Sequence, residues 1–134
     1  MSYIGDSINA SPTIAERAGA AIPGGAGLAV KYDANGCIVP CATAGEPALG
    51  VIIMQQGDVA VGDSVTVQIK DVATCVSGGA VSKGALVAVN ASAQVVAAEA
   101  GDFAIGMALS GASAAGQMVQ VQICKCGFVP EAKA

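Results

Sequence analysis

Five cysteines are the side chains of this chain with the widest chemical range, and their spacing restricts what they can do. They are Cys37, Cys41, Cys75, Cys124 and Cys126. An odd number of cysteines argues against a closed disulfide framework. Structural zinc sites use Cys-x-x-Cys pairs or histidines, whereas this chain has neither that spacing nor any histidine. The sequence therefore predicts free thiols and no metal site.

Two pairs of these cysteines are close enough in sequence to be considered for disulfides. Cys37 and Cys41 would stand roughly 13 Å apart along a strand, at about 3.3 Å per residue, which is too far for a bond. Cys124 and Cys126 would share the polar face of their strand. Free thiols are expected in a reducing compartment, and a bond from Cys124 or Cys126 to a neighbouring subunit is the alternative outside the cell.

The remaining reactive side chains form no catalytic pattern. A serine nucleophile needs a base, yet histidine is absent and no lysine completes a Ser-x-x-Lys motif. The acidic residues, including Glu46 and Asp102, mostly lie beside glycine or in turns, where turn formation explains them. The glycine-rich segment 24–27 lacks the Gly-Lys-Ser/Thr ending of a phosphate-binding loop. We therefore predict a non-enzymatic protein without a cofactor.

Charge and hydropathy exclude several classes of partner. Six basic and ten acidic residues give a net charge of −4 without a basic cluster, so nucleic-acid binding is not expected. No apolar run approaches the roughly 18 to 20 residues that span a bilayer, and the first residues lack a secretory signal. We therefore expect no membrane contact and folding in the cytoplasm. Hydrophobic residues make up 54% of the chain and charged residues only 12%, which favours a surface that is buried by assembly, with a compact Ala-rich fold as the alternative.

An internal repeat organises the chain. The sequence GEPALGVII at 45–53 returns as GDFAIGMAL at 101–109. The flanks repeat as well, because segments 27–33 and 62–69 match 84–90 and 116–123. Small changes of spacing fall between these segments, as expected if loops absorb them and strands do not. At 134 residues the chain is one domain by length, so the two copies must share a core.

Strand and turn signals alternate along both copies. Asn35-Gly36 predicts a tight hairpin turn after residues 28–32, and Pro40 places the following strand at an edge or a bulge. Residues 48–55 form a continuous apolar run, typical of a strand buried on both faces. Short strands with frequent glycine and no long amphipathic helix predict an all-β fold, a small β-barrel or β-sandwich built from the two repeats.

The predicted domain organisation follows from where the repeat begins and ends. We expect an extended N-terminal arm over 1–25, a two-repeat β-domain over 26–127 with repeats at about 27–69 and 84–123, and a C-terminal tail over 128–134. The two halves of the β-domain are expected to be related by a pseudo-twofold operation. Its predicted central residues are Leu49, Val51, Ile53, Ile105, Met107 and Leu109.

The predicted arm carries isolated apolar residues as candidate contacts to a neighbouring subunit or another partner. They are Tyr3, Ile4, Ile8, Ile14 and Ile22. Burying an isoleucine contributes roughly 1.5 to 3 kcal/mol, against about 1 to 2 kcal/mol per residue of backbone ordering, so we expect the arm to be ordered mainly in an assembled state. Residues 13–16 fit a capping box and allow one helical turn, with a disordered terminus as the alternative. Residues 18–27 also echo 76–84, which would bring the end of the arm into the sheet.

The paired segments resemble a known family. Gly-x-Leu/Val-Val, a turn and a short Val-rich strand, followed by Gly-acid-x-Ala-Ile-Gly and Gly-x-x-Val-x-Val-x-Ile, are similar to the two-repeat capsid decoration, or cement, proteins of tailed bacteriophages. The resemblance covers residues 19–127. It implies a non-enzymatic structural virion protein, made in the host cytoplasm, that binds the major capsid protein on the outer surface of the head and stabilises it, commonly as a trimer. The apolar residues of the arm would then be candidate capsid contacts.

Two other classes fit parts of the sequence. A biotinyl- or lipoyl-type carrier is also built from two related β-halves, and residues 81–86 resemble a half-motif of that fold. Lys70 and Lys83, however, lack the flanking methionines or acid of a carrier lysine. A fibre or adhesin subunit would carry more Thr, Asn and aromatic residues than this chain does.

Overall fold

The structure, a computed structural model, describes residues 11–55 and 57–130, and these residues form ten β-strands. The strands are β1 (Thr13–Arg17), β2 (Ala29–Tyr32), β3 (Ile38–Pro40), β4 (Gly50–Ile53), β5 (Ser64–Gln68), β6 (Asp71–Val76), β7 (Leu86–Val89), β8 (Val95–Ala97), β9 (Phe103–Ala108) and β10 (Met118–Phe128). Within the two described ranges, no helix is long and apolar enough to cross a membrane.

The ten strands form two five-stranded antiparallel sheets with the same internal order. The first sheet runs β1-β5-β4-β2-β3 and the second runs β6-β10-β9-β7-β8. Each strand therefore has a counterpart five strands later, and each repeat makes a complete sheet from consecutive strands. The registers also correspond, because Ala29 faces Val51 in the first sheet and Leu86 faces Met107 in the second. The predicted all-β fold built from two repeats is confirmed.

The first glycine and the acid of the repeated motif shape a loop in both sheets. Gly45 and Gly101 have φ values of 76° and 89°, a conformation that glycine adopts without steric cost. The acid that follows each glycine accepts a hydrogen bond from the backbone amide three residues before it, at 2.7 Å for Glu46 and 2.9 Å for Asp102. These carboxylates therefore hold turns, as predicted.

The second glycine of the motif lets two strands approach closely. A Cβ atom at Gly50 would collide with the carbonyl oxygen of Gln68 on the neighbouring strand. A Cβ atom at Gly106 would collide in the same way with the carbonyl oxygen of Gln122. The motif thus recurs because each of its two glycines meets the same local requirement in both sheets.

The predicted turn after β2 also has a counterpart after β7. Asp33 Oδ1 accepts hydrogen bonds from the amides two and four residues ahead, at 2.8 and 2.9 Å. Asn90 Oδ1 does the same at 2.9 and 3.0 Å. The chain reverses through positive φ values at Gly36 (77°) and Ala93 (64°). A side chain that bonds its own turn therefore fixes each hairpin.

Two clusters of buried side chains form the core. The first lies within the first repeat and consists of Ala18, Ile22, Val30, Ile38, Ile52, Val59, Val65 and Val67. The second contains the inward-facing residues of the second repeat, among them Val87, Val119 and Val121. It also takes in Ala29 and Val51 from the first sheet. The first sheet is therefore covered on both faces.

The predicted pseudo-twofold relation and part of the predicted centre are wrong. A twofold operation would place Val51 and its counterpart Met107 in equivalent surroundings, yet Val51 is 1% exposed and Met107 is 40% exposed. Val51 and Ile105 are buried as predicted, whereas Leu109 is 37% exposed. Leu49 is only half-buried, like Ile53. The cause is that the second repeat covers the outer face of the first sheet around Val51, whereas the described chain leaves the outer face of the second sheet exposed around Met107.

Strand β1 corrects the predicted start of the sheet. Its residues pair with β5 from Thr13 opposite Gln68 to Arg17 opposite Ser64, so this segment is neither a helical turn nor outside the sheet. β1 is the counterpart of β6, and each repeat needs that strand to cover the edge of its last strand. At the other end of the chain β10 continues to Phe128, inside the predicted tail.

Candidate binding surface

The outer face of the second sheet carries a row of exposed side chains that is largely apolar. Met107 on β9 lies opposite Leu86 on β7 and opposite Gln122 on β10, and Gln122 lies opposite Val72 on β6. Directly paired residues share one face of an antiparallel sheet, so these four residues form one row across four strands. We call them the outer row of the second sheet. Val72, Leu86 and Met107 are exposed by 45%, 40% and 40%.

Further apolar side chains on the same strands enlarge this surface. Leu109 lies directly after β9, two residues beyond Met107, and Met118 begins β10; both are exposed. Phe128, at the other end of β10, is exposed as well and packs edge to face on Phe103, with ring centroids 5.2 Å apart. Contiguous apolar surface on a soluble protein marks a place of interaction.

The matching row of the first sheet is buried or half-buried. Its members are Thr13, Gln68, Val51 and Ala29, in the same order across the sheet. Val51 and Ala29 are each 1% exposed, and Thr13 and Gln68 are half-buried. The same two positions of the sheet are therefore buried in the first repeat, at Val51 and Ala29, and exposed in the second, at Met107 and Leu86.

The second repeat covers the row of the first sheet, and backbone hydrogen bonds fix the contact. The amide of Ala29 donates to the carbonyl oxygen of Ala93 at 2.9 Å. The amide of Val76 donates to the carbonyl oxygen of Gly27, also at 2.9 Å. The first repeat thus contributes its outer face, and the second contributes the end of β6 and the β7–β8 turn. The contact is heterologous, because the two repeats use different surfaces.

The motif loop of the first repeat extends the contact. The amide of Gly45 donates to the carbonyl oxygen of Val89 at 2.8 Å, and the carbonyl oxygen of Gly45 accepts from the amide of Phe103 at 2.9 Å. Lys125 reaches the same side of the first repeat, where its Nζ donates to the carbonyl oxygens of Leu49, at 2.8 Å, and of Ala48. Partial burial of that ammonium group lowers the pKa of Lys125.

The space around four glycines shows which of the two outer faces is covered. A Cβ atom at Gly27 would meet the side chain of Val76, and one at Gly45 would meet the carboxylate of Asp102. Their counterparts in the second repeat are Gly84 and Gly101, where an added Cβ atom meets nothing within 4 Å. The space that the second repeat fills over the first sheet is thus open over the second sheet at these positions.

A charged cluster holds the motif loop of the first repeat. Glu46 Oε1 accepts from Lys31 Nζ at 2.7 Å, and Oε2 accepts from the amides of Ala42 and Thr43 at 2.8 and 2.7 Å. Burial alone would raise the pKa of the Glu46 carboxyl, but the bonds from Lys31 and from the two amides lower that pKa below its usual value. The carboxylate is therefore held in its ionised form.

Cys124 and Cys126 form a disulfide, which corrects the prediction of free thiols for these two residues. The register of β10 against β9 shifts between Ile123 and Gly127, so the intervening residues do not form a regular strand. The Cα atoms of Cys124 and Cys126 are 5.4 Å apart, inside the usual range for a disulfide. A regular strand would separate such residues by about 6.6 Å.

The other cysteines are free, as predicted. Cys41 and Cys75 are buried, and Cys37 is half-buried. Burial, helped by the nearby Glu46 carboxylate, raises the pKa of Cys41 to about 12. Burial also raises the pKa of Cys75 to about 12. Among the described residues, no group of three His, Cys, Asp or Glu side chains is placed to hold a metal ion.

The predicted contact residues of the arm do not form one surface in the described chain. Ile22 is fully buried in the core of the first repeat, so its side chain is not available to a partner. Ile14 on β1 is partly buried and packs against the same core. Tyr3, Ile4 and Ile8 lie outside the described residues. The outer row of the second sheet, which the sequence analysis did not identify, is a largely apolar surface that the described residues leave exposed.

The fold and this free face define a two-repeat β-protein equipped for protein contacts. A family model described as phage cement protein matches residues 48–123, more than half of the 134 residues. The chain therefore belongs to the phage cement protein family and is a structural, capsid-associated protein of a virion.

The N base of the head fiber gp8.5 of bacteriophage phi29 is similar in structure. The TM-score is 0.63 at 18% sequence identity, and the match covers 87% of this chain and 96% of the phage phi29 chain. At this identity the likeness supports a shared fold. No curated protein sequence is significantly similar to this chain.

Proposed function

We propose that this protein binds the outer surface of an assembled phage head and stabilises it without enzymatic activity. The observation that carries the proposal is the family match over residues 48–123, which includes the end of the first repeat and most of the second. The partner would be the major capsid protein, and the protein would be made in the host cytoplasm and carried on the capsid surface. Self-association, with three subunits favoured by the family resemblance, belongs to the same proposal.

The first ten residues supply the capsid contact in this proposal. They lead into β1, which is an edge strand of the first sheet, and they include the apolar residues Tyr3, Ile4 and Ile8. An extended segment that enters β1 from outside could gain both side-chain burial and strand pairing on a capsid shell. Residues 13–17 also complete the first sheet, so the deletion that tests this contact ends before them.

Binding to isolated heads that lack this protein tests the proposal. Wild-type protein should occupy the heads at a fixed stoichiometry and raise the temperature at which they release DNA. Deletion of residues 2–10 should leave the circular dichroism spectrum unchanged and abolish or strongly weaken occupancy. Deletion of residues 131–134 is the matched control and should bind normally. Unchanged occupancy after the first deletion would assign attachment to the β-domain, and no binding by the wild-type protein would refute the proposed function.

A second candidate is the base of a head fibre, which the similarity to the phage phi29 fiber base favours. A fibre base would be joined to a distal extension, whereas a cement protein would act alone. Mass spectrometry of the intact virion polypeptide that contains this sequence separates the two. The family membership leaves the carrier reading, with Lys70 or Lys83 as modified lysines, without support, and the same spectrum would reveal any such adduct.

A further inference from the structure

We propose that the outer row of the second sheet binds the first repeat of a second copy of this chain, in a head-to-tail contact that repeats the one between the two repeats. Ala29 and Val51 in the row of the first sheet are already buried by the second repeat, whereas Leu86 and Met107 remain 40% exposed at the matching positions. The inference extends the proposed self-association by naming its surfaces. It rests on the contact within the chain and not on binding to heads.

The occupant follows from the surface that covers the first sheet. Within the chain that surface is the end of β6 at Val76 and the turn at Ala93. Their counterparts in the first repeat are Arg17, which ends β1 as Val76 ends β6, and Gly36, which has a positive φ in the turn as Ala93 has. Arg17 and Gly36 are both exposed. The first repeat of another copy therefore presents the matching elements.

Tyr32 provides the apolar part of the docking surface. It is the counterpart of Val89, because Tyr32 pairs with Ile38 as Val89 pairs with Val95. Val89 is 1% exposed inside the chain, whereas Tyr32 is 46% exposed and donates a hydrogen bond to Glu16. If Tyr32 packs against the outer row of the next copy, its side chain becomes buried, as the side chain of Val89 already is within the chain.

The repeated contact predicts specific neighbours across two copies. The amide of Leu86 should donate to the carbonyl oxygen of Gly36 of the next copy, as Ala29 donates to Ala93 within the chain. The amide of Arg17 of that next copy should donate to the carbonyl oxygen of Gly84 of the first copy, as Val76 donates to Gly27 within the chain. The contact should stop short of Gly101, because the amide of that residue is already hydrogen-bonded within the chain.

The amide of Gly101 already has a partner, because it donates to the carbonyl oxygen of Val129 at 2.9 Å. The docked part of the outer row is therefore centred on Leu86 and Met107. Since the contact is heterologous, it either closes into a ring or extends into a filament. Sedimentation of the purified protein distinguishes these two forms by mass.

Charge substitutions on the two surfaces test the proposal by sedimentation of the free protein. The double variant Leu86→Lys and Met107→Lys should weaken association by at least about tenfold, since an unpaired charge is costly to bury. Tyr32→Asp on the opposite surface should have a similar effect. The double variant Met54→Lys and Val61→Lys is the matched control, because both side chains are exposed but belong to neither surface. Circular dichroism and thermal melting establish that each variant is folded.

Mixing the two interface variants separates a head-to-tail contact from a symmetric one. Each variant keeps one intact surface, so an equimolar mixture should form a one-to-one pair that grows no further. A symmetric contact between two outer rows would be insensitive to Tyr32→Asp and would not be rescued by mixing. Either of those results overturns the proposal, as does a wild-type protein that stays monomeric at every concentration or a Leu86 and Met107 variant that keeps the wild-type mass. Occupancy on heads is measured separately, so the proposed function and this contact can fail independently.

Discussion

Met107 stands in the second sheet where Val51 stands in the first, yet Met107 is 40% exposed and Val51 is 1% exposed. The registers around the two residues are the same, so local structure does not cause the difference. The cause is the stacking of the repeats, which places the second repeat over the outer face of the first sheet. The fold therefore uses one sheet design twice, once as core and once as surface.

Equivalent substitutions at these two positions should have unequal effects on stability. Val51→Asp should lower the free energy of unfolding by about 3 kcal/mol or more, because it buries an unpaired charge. Met107→Asp should change it by roughly 0.5 kcal/mol or less in the monomer, as is usual for exposed positions. Urea denaturation of both variants measures the contrast. Equal losses would mean that the outer row of the second sheet is buried in the free protein.

The glycines of the two motif loops should also respond unequally to alanine. Both Gly45→Ala and Gly101→Ala place a Cβ atom on a left-handed backbone, at a cost of about 1 to 2 kcal/mol. Gly45→Ala should cost about 1 to 3 kcal/mol more, because its Cβ atom also meets Asp102 of the second repeat. Thermal denaturation of the two variants gives the difference. Similar melting temperatures would contradict the close contact between the repeats.

Glu46 should make stability depend on pH in the acid range. Its carboxyl has a lowered pKa in the folded protein, so its contribution is complete above the ordinary value of 4.5 and is lost as the pH falls through the folded-state pKa. Glu46→Gln should destabilise the protein by about 1 kcal/mol at neutral pH, since a charge-assisted bond to the loop amides is weakened. The difference between wild-type protein and variant should vanish in acid. Glu99→Gln, the same substitution at an exposed glutamate, is the control. A difference that persists unchanged at low pH would assign the effect to packing.

The five cysteines should differ in their reaction with iodoacetamide. Cys41 and Cys75 should remain unmodified in the native protein at pH 8, because they are buried and their pKa values are about 12. Half-buried Cys37 should react faster than either. Cys124 and Cys126 should react only after reduction of their disulfide. Peptide mapping by mass spectrometry after native and denatured labelling reads each site. Rapid native labelling of Cys75 would contradict its place in the core.

The repeat made much of the fold predictable from sequence. At Gly50 and at Gly106, a carbonyl oxygen on the neighbouring strand leaves no room for a Cβ atom, so glycine appears at both places. Asp33 and Asn90 both bond their own turns, so both hairpins could be located. Requirements of this kind involve atoms that are near in sequence or in an adjacent strand. They leave a readable pattern in the chain.

Some strand assignments depended on pairing that the sequence does not reveal. Residues 13–17 form β1 because the edge of β5 needs a partner, and their own sequence also fits a capping box. Cys124 and Cys126 could be joined because the register of β10 shifts after Ile123. The residue types at 13–17 and 124–126 reveal neither the unpaired edge of β5 nor the register shift in β10.

The sequence by itself determined the two-copy all-β design, the turns and the absence of a catalytic pattern, since these depend on local geometry and on residue type. Only the tertiary structure decided which face of each sheet is buried. Ala29 and Leu86 occupy the same place in matching sheets, and both are apolar, so their types do not distinguish a core position from a binding surface. Burial is a property of what lies across the sheet, and for this chain that is set by the heterologous stacking of one repeat on the other.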